Sequence, residues 1–237
     1  MNAARQQAIY SIVRRQVFGP MWREFRADRA QPVVSPLEML PIRPERFIVE
    51  HLRYRLEKPE EIVPDIPMST EIGGVLDRAL RRIVVASKLP LVVQRFTLAH
   101  EIGHHFLHPN LTYHRDLPIL DTAQGDRSMP AEEREANFFA AELLMPRRLV
   151  ADIFHARYGP RVHPDELDAA FVLGLSRVLR LPLGDPRQIA ERLRAMSRRQ
   201  RCRLIARDDR LGLPLWSIFA VSIESMAIRL EELDLVF

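Results

Sequence analysis

Apolar residues along this chain change their spacing several times, and each change marks an element. Ile9, Ile12, Val13, Val17 and Phe18 recur at loosely helical intervals, so residues 1 to about 30 read as a helix. Its arginines and the Gln31-Pro32 that follows make it a peripheral arm. Pro44 to His51 reads as a short helix opened by proline. Leu52-Arg-Tyr-Arg-Leu56 alternates apolar and charged residues, as a half-buried strand does. A polar loop with Pro59, Pro64 and Pro67 comes next. Two β-prone runs, Ile72 to Leu76 and Arg82 to Ala86, then flank a hairpin-like Asp77 to Leu80. The expectation is a small sheet of about three strands.

Lys88-Leu-Pro90 opens a longer helix that runs to about His108, where Pro109-Asn110 stops it. Phe96, Ala99, Gly103, Phe106 and Leu107 supply its packing surface. Gly103 costs about 1 kcal/mol against alanine inside a helix, which makes sense if a neighbouring backbone must come close. Residues 109 to 130 read as a loop, with Asp116, Pro118, Asp121 and Gly125. Pro130-Ala131 and the acidic residues behind it start another helix, which Pro146 ends. Its side of Ala136, Ala140, Leu143 and Leu144 suits close packing on the preceding helix. Near the end, Trp216 to Ala220, then Val221-Ser222, then Ile223 to Leu233 read as helix, tight turn, helix. Ser222 is the N-cap, with Ser225 at the capping-box position.

The helix over 90–108 carries the chemistry. Its His100-Glu101-Ile-Gly-His104 places two imidazoles four residues apart, one above the other on the same face. They can hold one metal ion together, with Glu101 just off that line where a water would sit, which is half of a zinc peptidase site. A catalytic zinc takes three protein ligands and keeps one position open. The metzincin completion fails, because its glycine and third histidine positions hold Leu107 and Asn110, and the inverted motif is absent. The remaining class takes a glutamate from a following helix, and Glu133 is the choice. Asn137, one turn later on the same face, can hydrogen-bond a ligand histidine and fix its ring. Glu132 and Glu135 are rotated away by about 100° and 200°, and Glu142 falls to the surface or to a salt bridge. His105 points about 100° away from His104, and His108 serves as a helix-end residue. Tyr113 or His114 could steady an oxyanion, although ordinary loop residues are the simpler reading. Glu101 would take a proton from the attacking water and deliver it to the leaving amine.

Composition narrows the setting. With 237 residues, 47% hydrophobic and 28% charged, the chain can build one good core and a small appended domain. Arg5, Arg14 and Arg15 interrupt any signal-like run, and the uncharged stretch from Leu211 to Ile223 is too short for a membrane span. The single cysteine, Cys202, excludes an intramolecular disulfide and a thiolate cage, so a cytoplasmic protein is expected. The net charge of +4 concentrates in an arginine run over 192–210. That run could bind nucleic acid, but a solvated face balanced by Glu191, Asp208 and Asp209 is the preferred reading.

Gly73 to Arg78, Arg82 to Ala86, Arg95 to His108, Glu133 to Pro146 and the tail from Phe219 to Leu235 together resemble the ImmA/IrrE family of metallopeptidases. The likeness extends over about 41–150 and 213–237, and the segment 151–212 departs from it. The resemblance implies ligands at His100, His104 and Glu133 and a general base at Glu101, in agreement with the residue reading. It implies one zinc ion and a protein substrate, a helix-turn-helix transcriptional repressor whose cleavage derepresses mobile-element or stress-response genes. The expected fold is α+β: a mainly helical, zincin-like core with the small sheet, and a helical C-terminal region ending in a helix-turn-helix-like tail. The expected divisions are an N-terminal helical arm (1–40), the metallopeptidase core (41–150) and the C-terminal region (151–237). The alternative is a non-catalytic regulator binding a repressor, a toxin partner or DNA. Glu101 argues for the enzyme, since a structural metal site needs no general base. The acidic tail helix, with Glu224, Glu231, Glu232 and Asp234, suits phosphates poorly.

Overall fold

The structure is a computed structural model. It describes residues 1–236 apart from 31, 34, 63–72, 111–112, 117–128, 160–190 and 192–193, with the backbone alone at 113–116. The fold is α+β and mainly helical, in two compact units, Met1–Leu144 and Met145–Phe237.

The first unit begins with α1 (Ala3–Ile12), which passes through a π-helical stretch, Val13–Phe18, into α2 (Gly19–Ala27). Ile9, Val13, Val17 and Met21 are all buried, so this segment is core rather than the expected peripheral arm. A spacing of four drifts about 40° per step around an α-helix. The wider π turn in the middle brings the stripe back into line. α1 packs on α5 (Ala131–Leu144), and Arg5 donates to both carboxylate oxygens of Glu135.

After α3 (Pro44–Glu50) comes a sheet with strand order β1-β3-β2-β4. β2 (Gly74–Asp77) and β3 (Arg82–Val85) form the expected hairpin, and β1 (Arg55–Glu57) lies parallel to β3. The strand expected at 52–56 starts later because Arg53 has a φ of 57°, which breaks the extended run. The additional strand, β4 (Tyr113–Asp116), lies within the segment read as a loop and pairs antiparallel with β2. Backbone pairing makes it a strand. Tyr-His-Arg-Asp carries no apolar alternation that could have announced it.

α4 (Leu91–Leu107) crosses the centre of the unit between the sheet and α5. From Thr97 to His104 every residue is buried, so the helix is enclosed all round rather than along one stripe. Phe96, Phe106 and Leu107 are only half-buried. At Gly103 the expected close approach is present: a Cβ there would lie 3.1 Å from Cα of Ala136.

In the second unit the described helices are α6 (Arg147–Tyr158), α7 (Arg198–Arg207), α8 (Leu215–Phe219) and α9 (Ile223–Glu232). α8 and α9 join through Ala220, which is left-handed (φ 49°), and the Ser222 hydroxyl accepts from Ser225 N–H at 2.9 Å. α9 packs on α7. Among the described residues, this tail also pairs with part of the arginine run. Arg199 pairs with Glu224 and Glu231, Arg203 with Glu224, and Arg198 with Asp234. Asp208 does hold Arg210, at 2.6 Å. Among the described residues, no helix is long and apolar enough to cross a membrane.

Candidate metal centre

α4 stacks His100 above His104 with their Nε2 atoms 2.8 Å apart. α5 brings Glu133 against both, its Oε2 at 3.2 Å from His100 Nε2 and its Oε1 at 3.5 Å from His104 Nε2. A tetrahedral ion with bonds of about 2.0–2.1 Å holds neighbouring ligand atoms roughly 3.3 Å apart. The observed separations bracket that value, and the set of two imidazoles and a carboxylate is chemically that of a catalytic zinc site. Both histidines are buried and Glu133 is partly exposed.

Asn137 lies where its spacing from Glu133 predicts. Its Oδ1 is 2.8 Å from His100 Nδ1, and its amide nitrogen donates to Met129 Sδ at 3.3 Å. With the amide oxygen facing the ring, His100 carries its proton on Nδ1 and turns the Nε2 lone pair toward His104 and Glu133. Glu101 is fully buried on the same helix. Gly74 of β2 makes room for it, since a Cβ there would be 2.5 Å from Glu101 Oε1.

The sheet also holds the far end of the metal helix. Arg78, in the β2–β3 turn, donates through Nη2 to the carbonyls of His104, His105 and His108, at 2.7, 3.0 and 3.1 Å. The His104 carbonyl also accepts from the His108 N–H at 3.1 Å, while those of His105 and His108 lie at the helix end, where a cation suits the negative pole.

The other candidates sort as their angles require. His105 lies edge-on to Tyr54, and burial, with help from Arg78 and Arg81, depresses its pKa to about 4. His108 follows the last helical residue, its Nε2 3.2 Å from the Glu132 carbonyl. Burial lowers its pKa, against the pull of Glu135. Glu132 is exposed, while the hydrogen bond from Arg5 holds Glu135 below the ordinary glutamate value. Glu142 is buried and so does not fall to the surface. The side chains of Tyr113 and His114 lie outside the described residues. Sequence reasoning missed Gly74, Arg78 and Met129. The doublet Gly73-Gly74 inside the run expected as a strand was an available signal for the first of these.

A family model for the IrrE N-terminal-like domain matches residues 68–194. The radiation response metalloprotease IrrE of Deinococcus deserti is 39% identical over 87 residues, which cover 37% of this chain and 30% of that protein. Its counterpart in Deinococcus radiodurans is 37% identical over 87 residues, covering 37% and 26%. The matched segment therefore spans less than a third of either relative. With the family match covering more than half of its length, this chain belongs to the ImmA/IrrE family of metallopeptidases.

Proposed function

We propose that the protein is a zinc-dependent, site-specific endopeptidase whose substrate is a helix-turn-helix transcriptional repressor, cleaved in the cytoplasm to derepress mobile-element or stress-response genes. The observation that carries the reading is the convergence of His100, His104 and Glu133 with a buried Glu101 one residue from a ligand. Bound there, zinc would lower the pKa of a water toward about 7 and polarise a peptide carbonyl. His100 and His104 present Nε2, Glu133 presents its carboxylate, and Asn137 keeps His100 in the required tautomer. Glu101 accepts the proton of the attacking water and hands it to the departing amine, a role worth roughly a hundredfold to ten-thousandfold in rate. A structural metal site would have no use for this carboxylate.

The test is co-expression with helix-turn-helix proteins encoded beside the gene, followed by mass spectrometry for a discrete fragment. Wild type should yield the fragment, Glu101→Gln should retain zinc without cleaving, and His104→Ala should lose zinc. A stable complex without a fragment, equal for wild type and Glu101→Gln, would instead establish a non-catalytic regulator.

A further inference from the structure

β2 meets the metal helix at a point with no spare room. Gly74 opens the strand and is buried against α4. A Cβ built on it would lie 2.4 Å from Cγ2 of Thr97 and 2.5 Å from Oε1 of Glu101. Both are well inside van der Waals contact, so a side chain at 74 has to displace something. Thr97 and Glu101 are one turn apart on the same face of α4, and both are buried. The strand cannot simply back away, because Gly74 is paired on one side with Val85 of β3 and on the other with Asp116 of β4. Thr97 is β-branched and stiff at χ1. Glu101 has more rotatable bonds, so its carboxylate is the group that yields. The atoms nearest the added carbon belong to Thr97 and Glu101 and to neither histidine.

We propose that Gly74 is a positioning residue for the Glu101 carboxylate: its bare α-carbon fixes where the proton acceptor sits beside the His100–His104–Glu133 cluster. This rests on the peptidase reading above. The strand backbone thus acts on turnover through Glu101 and leaves metal binding alone. A methyl group at 74 turns the carboxylate out of place without touching a ligand.

The experiment uses the full chain loaded with zinc, as wild type, Glu101→Gln, Thr97→Ser, Gly74→Ala and the double variant Gly74→Ala/Thr97→Ser. Thr97→Ser removes the Cγ2 methyl that the new carbon would strike, leaving Glu101 as the group in the way. Three quantities are read: zinc affinity by chelator competition, the visible spectrum of the cobalt-substituted protein, and cleavage of the repressor. Thr97→Ser should cleave like wild type. The double variant should keep wild-type zinc affinity, shift the cobalt spectrum as Glu101→Gln does, and lose cleavage by roughly a hundredfold or more. Wild-type cleavage by the double variant would overturn the proposal. So would a loss of zinc affinity in step with cleavage, or failure to fold, since the glycine would then serve the fold rather than the carboxylate. If wild type binds zinc but cleaves no repressor, the peptidase reading fails by itself. The cobalt spectrum then decides: a double variant with the wild-type spectrum overturns the positioning role.

Discussion

His100 can offer a metal only one ring nitrogen, and Asn137 decides which. Its Oδ1, 2.8 Å from Nδ1, favours the tautomer whose Nε2 lone pair faces Glu133. Asn137→Ala should therefore weaken zinc binding by roughly ten- to a hundredfold while leaving the metal-free fold in place. Chelator competition measures the first and thermal melting of the metal-free protein the second; unchanged affinity would remove Asn137 from the site. Residues of this kind were legible in the sequence because their geometry is local. Four-residue spacing puts His100 over His104, and the same spacing puts Asn137 on the face of Glu133. Glu142 and Gly74 were not legible. Burial of Glu142 depends on how α5 is enclosed, and the demand on Gly74 comes from a side chain on another element. Neither fact has a period along the chain.

Elements were legible where hydrophobic pattern makes them and obscure where pairing does. α4 and α5 stand within two residues of their expected ends, since proline and acidic start signals bound them. β4 was missed because an edge strand without apolar alternation exists only through its partner β2. The register between sheet and helix depends on another long-range contact, Arg78 across the carbonyls of His104, His105 and His108. Removing that cap takes a donor from the half-buried His105 and His108 at the end of the helix. Arg78→Ala should cost roughly 1–3 kcal/mol in chemical denaturation of the metal-free protein. Arg78→Lys should recover only part of the loss, because an ammonium on these carbonyls lacks the second nitrogen that Arg78 sets 3.2 Å from His105 Nδ1. A variant as stable as wild type would show that α4 is held by its packing on α3, α5 and the sheet without this cap.

For the molecule as a whole, the run of arginines over 192–210 overstates the cationic surface offered to a partner. Arg198, Arg199 and Arg203 on α7 are engaged by Glu224, Glu231 and Asp234 of the tail, so this part of the basic run is paired with acidic groups within the second unit. This weakens the case for phosphate binding there. It also makes the second unit sensitive to acid. The hydrogen bond from Arg203, and after it that from Arg199, holds Glu224 below its ordinary value of 4.5, against the opposing effect of burial. A carboxylate with a depressed folded pKa contributes its stability in full above the unfolded value and loses it as pH falls through the folded one. The loss should therefore begin near 4.5 and continue below it. Its size should be about 0.5 kcal/mol after screening by solvent, since these side chains are only partly buried. Glu224→Gln should be the less stable protein at neutral pH and should show a flatter decline in acid, the two curves converging once Glu224 is protonated. Denaturant titrations from neutral pH down through that window measure the difference. Parallel curves would mean that the tail is held by its buried Met226, Ala227 and Leu230 and not by its charges.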